Sequence, residues 1–211
     1  YRIEKAYLNH RAPSQVVFTK NLLEDLKRRD FTMNAIAYDP TNGYYDPFDG
    51  RKDIEEGIIR CVGDPYERLK EDALRILRAI RFSAVLNFSI EPHLEQAIKE
   101  LAPTLSYISK ERIRDEFNKI LLSQHPDLLQ MLYDYQVLDE ILPGYSKLYG
   151  HDQKTPWHIY DIFRHSDVAL NHTIGYPLES KLAIVLHDIG KPEMETFGED
   201  GIAHYKRHAL I

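Results

Sequence analysis

The chain has 211 residues, with 27 Lys or Arg against 33 Asp or Glu and a formal net charge of -6. At 43% hydrophobic residues this is the composition of one or two folded domains, which excludes a disordered tail or a collagen-like repeat. The acidic balance also excludes a surface that is basic all round, so any nucleic-acid contact must be a local patch. Cys61 is the single cysteine, which leaves no internal disulfide or all-cysteine zinc site and fits a reducing cytoplasm. Apolar runs such as Ile184 to Leu186 fall far short of the roughly 20 residues a membrane span needs. The chain starts at Tyr1 rather than Met and stops at Ile211 in what reads as mid-element, as expected of a piece of something larger.

In chain order, Tyr1 to Phe18 mixes polar and aromatic residues without a period and reads as a strand end followed by an exposed loop. Asn21 to Arg29 is a helical turn or two and Phe31 to Tyr38 a short apolar run. Pro40-Thr41-Asn42-Gly43 is a turn into Tyr44-Tyr45-Asp46-Pro47-Phe48-Asp49-Gly50, giving a hairpin joined to helices. Asp64-Pro65 with Glu67 has the form of an N-cap, an N1 proline and a capping box. From there helices dominate, predicted over 66–86, 91–101, 109–123, 126–137, 158–172 and 178–190, with prolines between them. Tyr145 to Pro156, polar and aperiodic, is the expected linker.

Projected at about 100° per residue, the segment around Asp72 places Ala73, Ile76, Leu77 and Ile80 on one side of a helix. Asp72, Arg75, Arg78 and Arg81 then form a continuous stripe opposite. Such a stripe is either a solvated face carrying an Asp72–Arg75 pair or a polyphosphate or RNA site. For the second role Arg offers planar bidentate donors, and Asp can accept from the exocyclic amino group of a base. A second cluster, Glu24-Asp25-Leu26-Lys27-Arg28-Arg29-Asp30-Phe31-Thr32-Met33-Asn34-Ala35, stacks three basic residues between acids before an apolar run.

Together these two segments and Tyr45-Asp46-Pro47-Phe48-Asp49-Gly50 resemble, in order and spacing, the class II tRNA nucleotidyltransferases: the CCA-adding enzymes and their bacterial poly(A) polymerase relatives. The resemblance covers about residues 1–122. It implies an α+β, mostly α chain holding the end of a polymerase-β-like nucleotidyltransferase head (1–60), an all-helical neck that selects nucleotides and binds RNA (61–125) and a helical connector (126–157). Asp72 and Arg75 would act as a protein template for the base edges of CTP and ATP. By the same likeness Arg29, Arg78 and Arg81 would contact triphosphate or ribose. The helix carrying Lys110, Arg112, Arg114 and Lys119 would lie close to the tRNA acceptor end, unless it is only a solvated face. Ala73 departs from the proline common in the family and permits a helix continuous from Pro65. Asn9-His10-Arg11-Ala12-Pro13 resembles a mobile loop of these enzymes. The carboxylate pair that holds Mg²⁺ for nucleotidyl transfer is expected upstream of Tyr1. No catalytic residue is therefore expected in the chain, which by itself is expected not to add nucleotides.

His187-Asp188 carries little as a dipeptide, since His151-Asp152 is another. Its context carries more. Leu182-Ala183-Ile184-Val185-Leu186 predicts a buried helix ending at Gly190, and His158, His165 and His172 recur every seven residues on the preceding helix. The pattern His165, His187-Asp188-Ile189-Gly190-Lys191-Pro192 and His208 resembles the HD phosphohydrolases and makes 158–211 the start of such a domain. The resemblance implies a divalent metal, one of Mn, Ni, Zn, Fe or Mg, on His165, His187 and Asp188, with a further Asp beyond Ile211. The implied function is CCA addition, or part of it, to the tRNA 3' end from CTP and ATP. The alternatives are a metal-dependent HD phosphohydrolase acting on phosphate esters or RNA ends, and a non-catalytic RNA-binding module. The expected partners are the tRNA 3' end, CTP and ATP, with no membrane and a cytoplasmic location.

Overall fold

The structure is a computed structural model that describes residues 2–8, 12–125 and 127–210, with side-chain detail from residue 18 onward. Most of the loop expected around Asn9-His10-Arg11, and the first residue of the helix expected from 126, lie outside the described residues. The chain divides into two compact units, Tyr1–Phe117 and Asn118–Ile211.

The first unit opens with β1 (Arg2–Leu8) and β2 (Ala12–Phe18), paired antiparallel from Arg2↔Phe18 to Leu8↔Ala12. It is a two-stranded ribbon rather than a strand end and a loop, because strand pairing satisfies backbone donors and acceptors without requiring alternating side chains. Helix α1 (Leu22–Lys27) starts where the Asn21 side chain accepts from the Leu23 N–H. The expected hairpin is β3 (Ala37–Asp39) with β4 (Gly43–Tyr45), its turn fixed by Asp39 Oδ1 accepting from the N–H of Thr41 and Asn42. Helix α2 (Gly50–Glu56) leads to β5 (Ile58–Ile59), which pairs in parallel with β6 (Ser89–Ile90).

Between those two strands lie α3 (Pro65–Glu71) and α4 (Leu74–Leu86). Asp64 caps α3 by accepting from Glu67 N–H at 3.0 Å, as its sequence indicates. A continuous helix over 66–86 does not form, however. Asp72 is extended at φ -146° and ψ 105°, and its Oδ1 accepts from Leu74 N–H at 3.1 Å. A short carboxylate that bonds its own downstream backbone competes with the helical ladder, and here it wins without a proline. The apolar side of the projection holds: Ala73, Ile76, Leu77 and Ile80 are fully buried. Leu94 and Ile98 of α5 (Pro92–Leu101), which packs on α3, and Leu105 are fully buried as well. Helix α6 (Lys110–Leu121) follows.

The second unit holds α7 (Leu128–Asp134), α8 (Leu138–Ile141), α9 (Ile162–Asn171), α10 (Leu178–Leu186) and a short hairpin of β7 (Thr196–Phe197) with β8 (Ala203–His204). Tyr145 to Pro156 is part of its core rather than a linker. Tyr145 is fully buried with its Oη donating to Val185 O at 2.8 Å, Gln153 is fully buried, and Tyr149 stacks on Tyr133 at 4.4 Å. Aromatic residues anchor this segment without any helical period. Asp161 caps α9, so His158 precedes the helix instead of sharing a helical face with His165 and His172. Helix α10 ends at Leu186, not Gly190, and only Lys181 and Val185 on it are buried. Its apolar residues are consecutive, so one neighbour can cover only the stripe that recurs every four positions. No described helix is long and apolar enough to cross a membrane.

Candidate functional site

The helix break presents Asp72 to its surroundings. While Oδ1 closes the turn, Oδ2 accepts from Arg112 Nη2 of α6 at 2.9 Å. Arg75 does not pair with Asp72. Its Nη1 donates to Glu71 Oε2 at 2.5 Å and Arg68 O at 2.8 Å, and its Nη2 to Arg28 O at 3.3 Å. Arg78 donates through Nε and Nη2 to Asp30 Oδ2 at 2.8 and 2.5 Å. Asp30 Oδ1 accepts from Phe31 N–H and Asn34 Nδ2. Burial alone would raise the Asp30 pKa, but Arg78 and these donors hold it below the usual carboxylate value. Arg81 Nε donates to Glu116 Oε2 at 2.6 Å, and its guanidinium lies 4.0 Å over the Phe82 ring, which Phe31 meets edge-on. Arg29 is half-exposed and donates to Asn34 O at 3.0 Å.

The arginine stripe is therefore not a solvated face. The side chains of Arg75 and Arg81 are only 10% and 16% exposed, and each helix arginine meets its own carboxylate. These pairs bind the Arg28–Asp30 turn to α4 and α4 to α6, placing a carboxylate and several guanidiniums around one helix start. The Asp46–Gly50 motif is tied to Thr32, two residues beyond that turn. Asp46 accepts from the N–H of Gly50 and Arg51 at the start of α2. Within α2, Asp53 takes Thr32 Oγ1 at 2.6 Å and Arg60 Nε at 3.1 Å. Gly50 packs against the Thr32 carbonyl so closely that a Cβ would stand 2.2 Å from its oxygen.

In the second unit His165, His187 and Asp188 converge, with one ligand atom from each lying within 4.8 Å of the others. It is the one such group of three among the described residues. His187 Nδ1 is held by Ile184 O at 2.7 Å, which turns Nε2 toward Asp188 Oδ2 at 3.0 Å. His208 repeats the device, with Nδ1 on Tyr205 O at 2.7 Å and Nε2 at 3.4 Å from Asp188 Oδ1. Lys191 Nζ stands 2.7 Å from Asp188 Oδ2 and donates to Gln153 Oε1. Although cations flank it, the buried Asp188 Oδ2 has no donor aligned for a hydrogen bond. Burial works to raise the Asp188 pKa, yet His187 and Lys191 pull it down to about 2. Burial lowers the His165 pKa, which keeps its ring neutral and its lone pair available near pH 7. An anionic oxygen without an aligned donor beside two imidazoles fits a divalent cation.

Two family models match the chain: the poly(A) polymerase head domain over residues 1–60, and the probable RNA and SrmB-binding site of polymerase A over residues 87–148. The CCA-adding enzyme of Leuconostoc mesenteroides is 48% identical over 145 residues, 68% of this chain and 36% of that protein. The chain belongs to the CCA-adding enzyme and poly(A) polymerase family. The CCA-adding enzyme of Ligilactobacillus salivarius is 36% identical over 227 residues, covering 96% of this chain and 56% of that one. Among solved structures, the Bacillus stearothermophilus CCA-adding enzyme in complex with CTP is 35% identical with a TM-score of 0.62, covering 86% of this chain and 51% of that one. The chain thus spans about a third to just over half of the length of these relatives. Members of this family are nucleotidyltransferases that generally need a divalent metal.

Set in this family, the residues expected from sequence divide into two groups. Asp72, Arg75, Arg78 and Arg81 each meet a separate partner, Arg112, Glu71, Asp30 and Glu116 in turn, while His165, His187 and Asp188 form one cluster. Arg29 borders the Asp30–Arg78 pair through Asn34, while the exposed His172 joins neither group. The sequence alone did not single out Arg112 as the partner of Asp72. The only signal was a basic residue on an amphipathic helix, and the sequence separation of 40 hides the contact. His158 lies 6.1 Å from His165, ring centre to ring centre, although it stands outside the helix.

Proposed function

We propose that this chain supplies the nucleotide-selecting and RNA-holding part of a nucleotidyltransferase that adds CCA to the tRNA 3' end, with CTP and ATP as donors. The observation that carries the reading is the helix break at Asp72. It holds a carboxylate at the start of α4, backed by Arg112, with Arg75 one turn further on. A carboxylate accepts from the exocyclic amino group of cytosine or adenine, and a guanidinium donates to ring nitrogen and carbonyl acceptors, so the pair can read a base edge. Without nucleotide both groups are satisfied internally, by Arg112 and by Glu71. Base recognition exchanges those bonds for bonds to the base and avoids leaving buried charge unpaired in between. Arg29 and the α4 arginines serve the triphosphate or ribose. Residues 1–60 then act as head, 61–125 as neck and 126–157 as connector. A divalent ion, Mg²⁺ by expectation, would when bound supply activation of the attacking hydroxyl and stabilisation of the leaving pyrophosphate.

The test uses the full-length protein with Mg²⁺, CTP, ATP and a tRNA transcript lacking its 3' CCA, with products resolved at single-nucleotide length. Addition of two C and one A is expected. Addition of A alone, or of long A tails, would indicate a specialised relative, and no addition would sink the reading. Asp72→Ala should relax the choice of CTP and ATP over the other nucleotides while triphosphate affinity is kept, because phosphate contacts position and base contacts specify. Arg112→Ala should show the same selectivity defect in weaker form. Arg29→Ala should weaken all nucleotides alike.

A second activity is supported by the His165, His187 and Asp188 cluster, which suits an HD phosphohydrolase over 158–211 acting on phosphate esters or RNA ends. These three residues would hold the divalent ion, be it Mn, Ni, Zn, Fe or Mg, which supplies a polarised phosphate and an activated water when bound. Holding the ion would require His187 Nε2 to turn its lone pair to the ion and Lys191 to move off Oδ2. A tRNA-processing role and the free buried thiol of Cys61 both fit a cytoplasmic location.

A further inference from the structure

The second unit contains a lysine whose side chain is largely buried and whose ammonium, at the surface end, has no counter-charge among the described residues. Lys181 of α10 is 3% exposed and, among the described residues, its side chain forms no hydrogen bond or ion pair. Burial lowers its pKa. The acidic groups of this region are committed elsewhere. Arg164 Nη1 takes both Asp127, at 2.8 Å, and Asp167, at 3.0 Å. The Asn171 amide is used by Asp127 as well, its Oδ1 accepting from the Asp127 N–H and its Nδ2 facing Asp127 Oδ1.

Lys181 lines a cavity of about 60 Å³ together with Ser123, His125 and Asn171, on the order of two water volumes. Ser123 Oγ is a buried polar group there without a partner. The exposed side chains of Gln124 and Ile174 also line it, so the cavity reaches the surface. A cation without a counter-charge and a hydroxyl without a protein partner facing one small opening can be satisfied by water, and an anion with acceptor oxygens would supply the missing charge as well.

We propose that Lys181 and Ser123 form a binding site for a phosphate oxygen, and that its occupant is the sugar-phosphate backbone of RNA. The cavity admits one non-bridging oxygen rather than a whole nucleotide, which suits a sequence-independent contact that positions the strand. Ser123 and His125 lie within the segment matching the RNA-binding family model, while Lys181 lies beyond it. The site thus adds a contact from α10 to a surface of the chain where RNA is expected. It does not depend on the CCA-adding reading, since inorganic phosphate probes it directly.

The test follows the melting temperature of wild-type protein and of Lys181→Met and Ser123→Ala variants as sodium phosphate is raised at fixed ionic strength, with acetate as control. Phosphate should raise the wild-type value more than acetate does. Lys181→Met should be at least as stable as wild type without phosphate, since it removes a charge that has no counter-charge, and should lose the phosphate effect. Ser123→Ala should retain part of it. A parallel titration of a tRNA transcript across salt concentrations separates the sources. For Lys181→Met the slope of log affinity against log salt should fall by about one phosphate contact. An unchanged slope with the phosphate effect lost would overturn the RNA assignment in favour of free phosphate. Equal protection by acetate and phosphate, or a phosphate effect that survives in Lys181→Met, would overturn the site itself.

Discussion

Gly50 shows how one residue can couple two motifs. A methyl group there would stand 2.2 Å from the Thr32 carbonyl oxygen and 2.6 Å from its carbon, both backbone atoms that cannot swing aside. Thr32 is further held by Arg60 O through its N–H and by Asp53 through its hydroxyl. Gly50→Ala should therefore cost about 2 kcal/mol or more through forced backbone displacement. A melting temperature within a degree of wild type would contradict that. Cys61 illustrates the opposite case: burial pushes its thiol up to about 12, so it behaves as a small apolar residue rather than a nucleophile.

At the scale of elements, the junction between the Arg28–Asp30 turn and α4 depends on a charge that can be titrated. The folded pKa of Asp30 lies below its unfolded value, so its pairing with Arg78 contributes fully above the ordinary carboxylate range. That contribution is lost as pH falls through the lowered folded value. The difference in unfolding free energy between wild type and Asp30→Asn should stay constant from about pH 7 to 5 and shrink below about pH 4. The partly exposed Arg78 limits its plateau to about 1–2 kcal/mol. A difference independent of pH would indicate that the backbone and Asn34 bonds carry the junction.

At the scale of the whole molecule, the metal reading of the second unit can be tested without any substrate. An ion that binds only the folded cluster raises stability by about 2.7 kcal/mol at a hundred times its dissociation constant. Titrating Mn²⁺ or Ni²⁺ should raise the melting temperature of the wild-type protein, and adding a chelator should reverse the rise. His187→Ala should show neither change. If it gains the same stabilisation as wild type, the ion sits elsewhere.

Several features were legible in the sequence because short-range chemistry determines them. The Asp64 cap and the β3–β4 turn rest on bonds within a few residues, and the buried side of α4 follows from helical period. The family resemblance likewise rested on side-chain order. What depended on distant partners was not legible. A solvated arginine stripe was the straightforward reading until Asp30 and Glu116 were brought against it from 48 and 35 residues away. The expected linker at 145–156 became core because Tyr145, Tyr149 and Gln153 found partners far along the chain. The break at Asp72 lay between these cases: its local bond to Leu74 was available to sequence reasoning, but the Arg112 contact that fixes the free carboxylate oxygen was not. Sequence determines which groups a segment offers, and only tertiary structure decides which of them are desolvated and which charge they meet.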